Sequence, residues 1–300
     1  IWIKADERHL MRWKSPWSVG FPGWHLECSA MSTKYLGKTF DIHGGGNDLK
    51  FPHHENEIAQ NFGACGCAPA RYWLHGNMLL MNGKKMSKSD GNSITPAQLF
   101  TGDSPHISKG YSPMAIRFFM LQSHYRSTLD LTDEALQAAE KGYRRLMEAN
   151  KLLQAMQPAP DARAGELDKE INDLADQALA EMDDDFNTPK ALARLFELVS
   201  RVNSLQGGQL PLPEVSAATL ERLQRTFREF IYDIFGLKDE MEAAGADNGL
   251  LDGLMNLIID IRQQARANKD WATSDKIRDT LAELDIQLKD SKEGTIWSVQ

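Results

Sequence analysis

Cysteine is scarce in this chain, and what there is cannot all pair: Cys28, Cys65 and Cys67 are the only three among 300 residues. A disulfide-built scaffold is excluded, and with no export signal a reducing, cytoplasmic setting is expected. No apolar run approaches the roughly 20 residues that span a bilayer, so no membrane partner is expected. The N-terminus, "IWIKADERHLMRW", lacks both an initiator Met and the basic–apolar–small order of a signal peptide. It reads as the middle of a longer chain. Positive charge is not in excess either. A net charge of -8 argues against indiscriminate nucleic-acid binding, while leaving room for a local basic face. Internal repeats and low-complexity segments are also missing. What remains is 42% hydrophobic and 25% charged, a globular composition of a length that implies two or three domains.

The first hundred residues hold most of the histidine and tryptophan. "TFDIHGGG" (39–46) reads as a short buried strand running into a glycine turn. "FPHHENEIAQNF" (51–62) places Pro52 at a first helical position. "MLLM" (78–81) is strand-like, and Asn82-Gly83 is a tight-turn pair. Strands alternating with helices predict an α/β layer. From about Ser112 the pattern becomes helical. Apolar residues recur every 3.6 positions over 132–156, 165–182, 188–205 and 215–235, which predicts a helical bundle. The polar stretch "DEMEAAGADNG" separates it from a tail that reads as helix, helix and a short β-like end.

Three clusters carry chemistry. His53 and Glu57 are i and i+4 on the predicted helix and share a face. With Cys28 they form an S, N, O set that suits zinc; the other reading is a helix-surface pair. "HHENEI" is not a zinc-protease motif, because position 58 is Ile. "CGC" (65–67) is too closely spaced for a zinc knuckle and reads as loop. Second, Gly44, Gly45 and Gly46 let a ligand approach the backbone, and Asp48 can accept from ribose hydroxyls. Third, Lys85 and Lys88 in "KKMSKSDGN" (84–92) can neutralise a polyphosphate, although a lysine-rich loop is commonly just solvated.

"KMSKS" (85–89) matches the signature of class I aminoacyl-tRNA synthetases. "GWHLECSAM", "DIHGGGNDLKFPHHENEIAQ" and "YWLHGNMLLMNGKKMSKSDGN" together resemble cysteinyl-tRNA synthetase. The order holds on through "DDDFNTP" (183–189) and "KDWATSDKIRD" (269–279). The resemblance implies the C-terminal part of a Rossmann-like nucleotide-binding domain (1–110). A stem-contact region and helical bundle (111–245) and a small mixed α/β anticodon-binding domain (246–300) would follow. It implies ATP-dependent activation of L-cysteine and its transfer to tRNA(Cys), with ATP and Mg2+ as substrate and one Zn2+ per chain. Lys85 and Lys88 would stabilise the transferring phosphates. Gly44, Gly45, Gly46, Asp48 and Lys88 would contact ATP, with the strand at His75 to Leu80 beside the adenine and Met86 packing the loop down. Cys28, His53 and Glu57 would hold zinc, and Trp24 and His43 would wall the cysteine site, core packing being the other reading for both. Arg266, Trp271, Asp275 and Asp290 would read the anticodon. In "DDDFNTP", Asn187 or Thr188 would cap a helix that Pro189 opens. A monomer is expected.

Two departures stand out. No H-I-G-H stretch, the partner signature of KMSKS, occurs in the 300 residues, and the family's fourth zinc ligand, a cysteine, has no match. The expectation is a C-terminal fragment that does not form cysteinyl adenylate alone and holds zinc weakly. The alternatives are a ligase joining cysteine to a small-molecule amine and a non-catalytic tRNA-binding module.

Overall fold

A computed structural model of the chain describes residues 1–87, 89–268, 270–284, 286–291 and 294–299. It forms two compact units, Ile1–Leu237 and Lys238–Gln300. The first opens with a small antiparallel sheet of β1 (Trp2–Lys4), β2 (Trp13–Lys14) and β3 (Val19–Pro22), with β3 in the middle. Gly23 then leads into α1 (Trp24–Leu36).

The βαβ unit that follows positions the chemistry. β4 (Phe40–Gly46) passes through a short α2 (Asn47–Leu49) and a kinked turn, Lys50–His54, into α3 (Glu55–Cys65). The chain returns as β5 (Ala70–Gly76), parallel to β4 in a register from Phe40↔Ala70 to Gly46↔Gly76. Parallel strands need a crossover, and α3 supplies it. Two expectations change here. The glycines are not a turn: Gly44 to Gly46 stay in β4 and pair with Leu74 to Gly76. The strand is also not buried. Among the described residues β4 pairs with β5 alone, and Asp41 and Ile42 are exposed. Pro52 does sit where the helical path begins, after an extended Phe51.

β6 (Leu79–Met81) and β7 (Lys84–Lys85) form a hairpin, and β8 (Leu129–Leu131) runs parallel to β6 on the other side. Asn82 and Gly83 both have positive φ, as a two-residue hairpin turn demands. The strand expected from His75 to Leu80 is therefore broken at Asn77–Met78, between β5 and β6.

The core belongs to the helices. α4 (Pro96–Thr101), α5 (Pro113–Leu121), α6 (Asp133–Ala155), α7 (Glu166–Asp183), α8 (Thr188–Gln206) and α9 (Ala217–Arg228) pack one continuous cluster running from Met81 to Leu237. Leu136, Leu146, Leu195, Leu198 and Leu223 are fully enclosed in it, each contributing about 1.5–3 kcal/mol of burial free energy. The four segments with a 3.6-residue period coincide with α6 to α9, the last continuing through a wider, π-helical turn, Glu229–Ile234. Asn187 caps α8 by accepting from the Lys190 N–H, with Pro189 in its first turn.

The second unit contains α10 (Glu240–Ala267), α11 (Trp271–Glu283) and a hairpin of β9 (Ile286–Ser291) and β10 (Gly294–Val299). The helix–helix–β order matches expectation. "DEMEAAGADNG", expected to separate the units, is instead taken up by α10 from Glu240 onward. Its Ala, Glu and Met are good helix formers and outweigh its two glycines.

Candidate metal centre and lysine hairpin

α1 and α3 bring three chemically matched side chains together. Ser29 on α1 donates to the Gln60 carboxamide on α3 at 2.7 Å, holding the helices in contact. One residue before Ser29, Cys28 faces the N-terminal end of α3. The donor atoms of Cys28, His53 and Glu57 lie within 4.8 Å of one another, with His53 and Glu57 buried. The surface-pair reading is thereby overturned, because Glu57 is only 1% exposed. His43 reaches across from β4 and donates through Nε2 to Glu57 Oε2 at 2.8 Å. Glu57 Oε1 lies 2.9 Å from His53 Nε2. The two do not align as a hydrogen bond, so Oε1 has no hydrogen-bond partner. A buried carboxylate normally has every oxygen satisfied. Here an imidazole, a thiol and a carboxylate oxygen point at one place, which fits a soft divalent cation such as zinc. Burial, then the charges of Glu57 and Glu27, push the Cys28 thiol above its ordinary pKa, against a hydrogen bond from Trp24.

Aromatic rings line this cluster. Trp24 stands 4.4 Å from the His53 ring, centroid to centroid, and is 61% exposed, so it is not a core residue. His43 lies 4.7 Å from His54 and 4.8 Å from Trp73. His54 is a functional candidate the sequence reading missed, although the His53-His54 doublet could have drawn attention to it. It is buried, its Nδ1 is 2.8 Å from His75 Nε2, and with His43 and Glu57 it forms a second converging set. Burial, then the neighbouring His43, His75 and His53, depress His54 to a pKa of about 4, so it is neutral near pH 7. Gly45 is glycine for this reason, since a Cβ there would sit 2.8 Å from the His54 ring.

Beyond the carboxyl ends of β4 and β5, where open α/β sheets bind ligands, lies a cavity of about 500 Å³. Asn47, Lys50, His54, Trp73, His75 and Arg126 line it. A second cavity of about 440 Å³ is bordered by Trp24, Asp48 and His53. Asp48 is exposed and its carboxylate lies against Gly46, where any Cβ would collide with it.

The lysine hairpin sits apart from the cluster in sequence, on the edge of the helical core. Lys84 and Lys85 are exposed on β7. Half-buried Met86 packs onto the core, as expected for a residue that seats the loop. Asn92 ties the loop by accepting from Ser87 N–H at 2.8 Å and donating to Lys85 O at 3.0 Å. Lys88 lies outside the described residues. In the second unit, Arg266 and Trp271 are exposed on α10 and α11, and Asp275 pairs with Arg278 at 3.1 Å. Lys269 and the Asp290 side chain lie outside the described set.

A parallel βαβ layer, a hairpin leading into the KMSKS stretch and a following helical bundle define the class I aminoacyl-tRNA synthetase architecture. Comparison with known families agrees. A profile described as "tRNA synthetases class I (C) catalytic domain" matches residues 1–141. A "DALR domain" matches 177–238, and a "Cysteinyl-tRNA ligase anticodon binding domain" matches 250–297. The chain is 49% identical over 299 residues to a cysteine–tRNA ligase of Parabacteroides distasonis, covering 100% of this chain and 59% of that protein. It is 46% identical to the Porphyromonas gingivalis enzyme of that name, with the same coverage. Against the Deinococcus radiodurans one it is 45% identical over 302 residues, covering 99% of this chain and 58% of the relative. The chain belongs to the cysteine–tRNA ligase family and spans about three-fifths of the length of these relatives.

Proposed function

We propose that the chain takes part in ATP-dependent activation of L-cysteine and its transfer to tRNA(Cys), as a cytoplasmic, monomeric protein. The observation that carries this is the convergence of Cys28, His53 and Glu57 beside an exposed tryptophan, on the same unit as a KMSKS hairpin. Cys28, His53 and Glu57 hold a zinc ion in this reading. A bound zinc favours a thiolate over a hydroxyl, which separates cysteine from serine more sharply than the ~1–3 kcal/mol that pocket shape supplies. Trp24 and His43 flank the cysteine. The substrate carboxylate attacks the α-phosphorus of Mg–ATP, the bond to the bridging oxygen breaks and pyrophosphate leaves. Lys85 and Lys88 neutralise the charge that builds on the phosphates. Gly44 to Gly46 and Asp48 accommodate the ribose. On the second unit, Arg266, Trp271, Asp275 and Asp290 contact the anticodon, with Trp271 stacking on an unpaired base.

Cobalt(II) is the direct probe of this site. Titrated into the purified chain, it is expected to give a thiolate-to-metal charge-transfer band that strengthens with L-cysteine and not with L-serine. The Cys28→Ser variant is expected to lose the band. A band unchanged in Cys28→Ser, or equal responses to the two amino acids, refutes the assignment.

A further inference from the structure

A second sulfur pair lies at the far end of α3 from the metal cluster. Cys65 is the last residue of that helix and Cys67 follows two positions later. Their Sγ atoms are 3.2 Å apart, and both thiols are free and partly exposed. In a continuing helix, residues i and i+2 point to different sides. Gly66 removes that constraint. It adopts φ +71, the left-handed conformation that ends helices, while its N–H still closes onto Phe62 O at 3.0 Å. The left-handed step folds Cys67 back over the helix end and onto Cys65. The turn is held from the other side by buried Asn61, whose amide donates to Cys67 O at 3.5 Å as well as to Lys38 O at 2.8 Å. The "CGC" tripeptide is therefore more than a loop between elements.

We propose that Cys65 and Cys67 form a redox-active dithiol that closes to an intramolecular disulfide when exposed to a low-molecular-weight disulfide. The Cys67 thiolate attacks one sulfur of the oxidant RSSR, and the first RS⁻ leaves and takes up a proton. Cys65 then loses its proton and attacks the Cys67 sulfur of the mixed disulfide, expelling the second thiol. In sum, two S–H bonds are exchanged for one S–S bond, and RSSR is reduced to two RSH. The approach required is small, since a disulfide needs a separation of about 2.0 Å. The order of attack follows from the surroundings. Hydrogen bonds from Cys65 and then Thr39 hold the Cys67 thiol below its ordinary pKa, with the Lys38 charge acting in the same direction. The same contact with Cys67 pushes Cys65 up. Of the two thiols, the one with the lower pKa ionises first and is the attacking nucleophile.

The test is equilibration of the purified chain in oxidised/reduced glutathione buffers of graded ratio, then acid quench, alkylation and mass spectrometry of the tryptic peptide 51–71. Cys28, on a different peptide, serves as the internal reference. The wild-type peptide is expected to convert to a form lacking two hydrogens, without alkyl groups or glutathione. The folded chain should convert at a ratio at least about tenfold lower than the chain unfolded in urea. Cys65→Ser and Cys67→Ser should each retain glutathione on the remaining cysteine. Full alkylation of both cysteines across the series, a stable glutathione adduct on the wild type, or equal ratios for folded and unfolded chains would overturn the proposal.

Discussion

Glu57 accepts from His43 through one carboxylate oxygen and turns the other toward His53 without bonding to it. The two oxygens thus have different tasks. One is fixed by a partner, and the other is left where the donor atoms of His53 and Cys28 converge. Partners that orient a ligand carboxylate matter nearly as much as the ligands, and losing one typically costs 10–100-fold in metal affinity. His43→Ala is accordingly expected to weaken zinc binding about 10–100-fold in a chelator competition, with the helical signal of the chain unchanged. An unaltered zinc affinity would refute that orienting role for His43. At this scale the sequence carried half of the site. The i, i+4 spacing of His53 and Glu57 places them on one face of any helix. Cys28, 25 positions before His53, is placed beside them by the family resemblance and not by spacing, and neither sets His54 against His75.

Among the elements, the start of α6 shows how one carboxylate ties two segments. Asp133 accepts from Tyr111 Oη at 2.6 Å, from the Ser108 N–H at 3.0 Å and from Gln137 Nε2 at 2.9 Å. Partial burial pushes its pKa up, but those hydrogen bonds outweigh it and hold the group down at about 2, against an ordinary 3.8. The sign follows from linkage. The folded form binds the proton less readily than the unfolded form, so the contribution is complete above pH 3.8 and is lost as pH falls toward 2. It amounts to no more than about 2 kcal/mol, since the group is only partly shielded from water. Urea unfolding followed from pH 5 to pH 2 should show the wild type losing stability more steeply than Asp133→Asn below pH 3.8. Parallel curves would remove Asp133 from the account. A different tie holds the turn before α8. Asp185 and Phe186 both have positive φ, which costs non-glycine residues energy. Asp185 is held there by Tyr125 Oη at 2.7 Å and Arg126 Nε at 2.8 Å. The sequence "DDDFNTP" announced a helix start and gave no sign of that pair of left-handed residues.

For the molecule as a whole, the negative balance bears on the tRNA binding proposed above. A chain of net charge -8 has little diffuse attraction for phosphate, so affinity must come from local contacts such as base stacking. Trp271, 58% exposed at the start of α11, offers such a surface. Trp271→Ala is expected to weaken filter binding of tRNA(Cys) by about 1–3 kcal/mol. The difference between matched and anticodon-altered tRNA should shrink, and the cobalt spectrum should not change. Equal binding by wild type and variant would place the anticodon contact elsewhere. Apolar side chains are unevenly spread. The packed core runs from Met81 onward, while Leu10, Trp17, Trp24, Tyr35 and Phe51 in the first part are exposed.

The sequence by itself determined the helical bundle, because a 3.6-residue apolar period can be buried in only one way and α6 to α9 follow it closely. It also determined the hairpin at Asn82-Gly83, where both residues tolerate positive φ, and the family, through ordered motifs. Tertiary structure alone decided three things. Gly44 to Gly46 became strand and not turn, because they pair with Leu74 to Gly76 of β5, while the His54 ring crowds Gly45 and the Asp48 carboxylate crowds Gly46. Glu57 was buried, because α1 lies across α3. The two sulfurs of Cys65 and Cys67 came within 3.2 Å, because a left-handed glycine reversed the chain between them. In each case the deciding atoms belong to residues that no periodic pattern links, so only the folded chain brings them together.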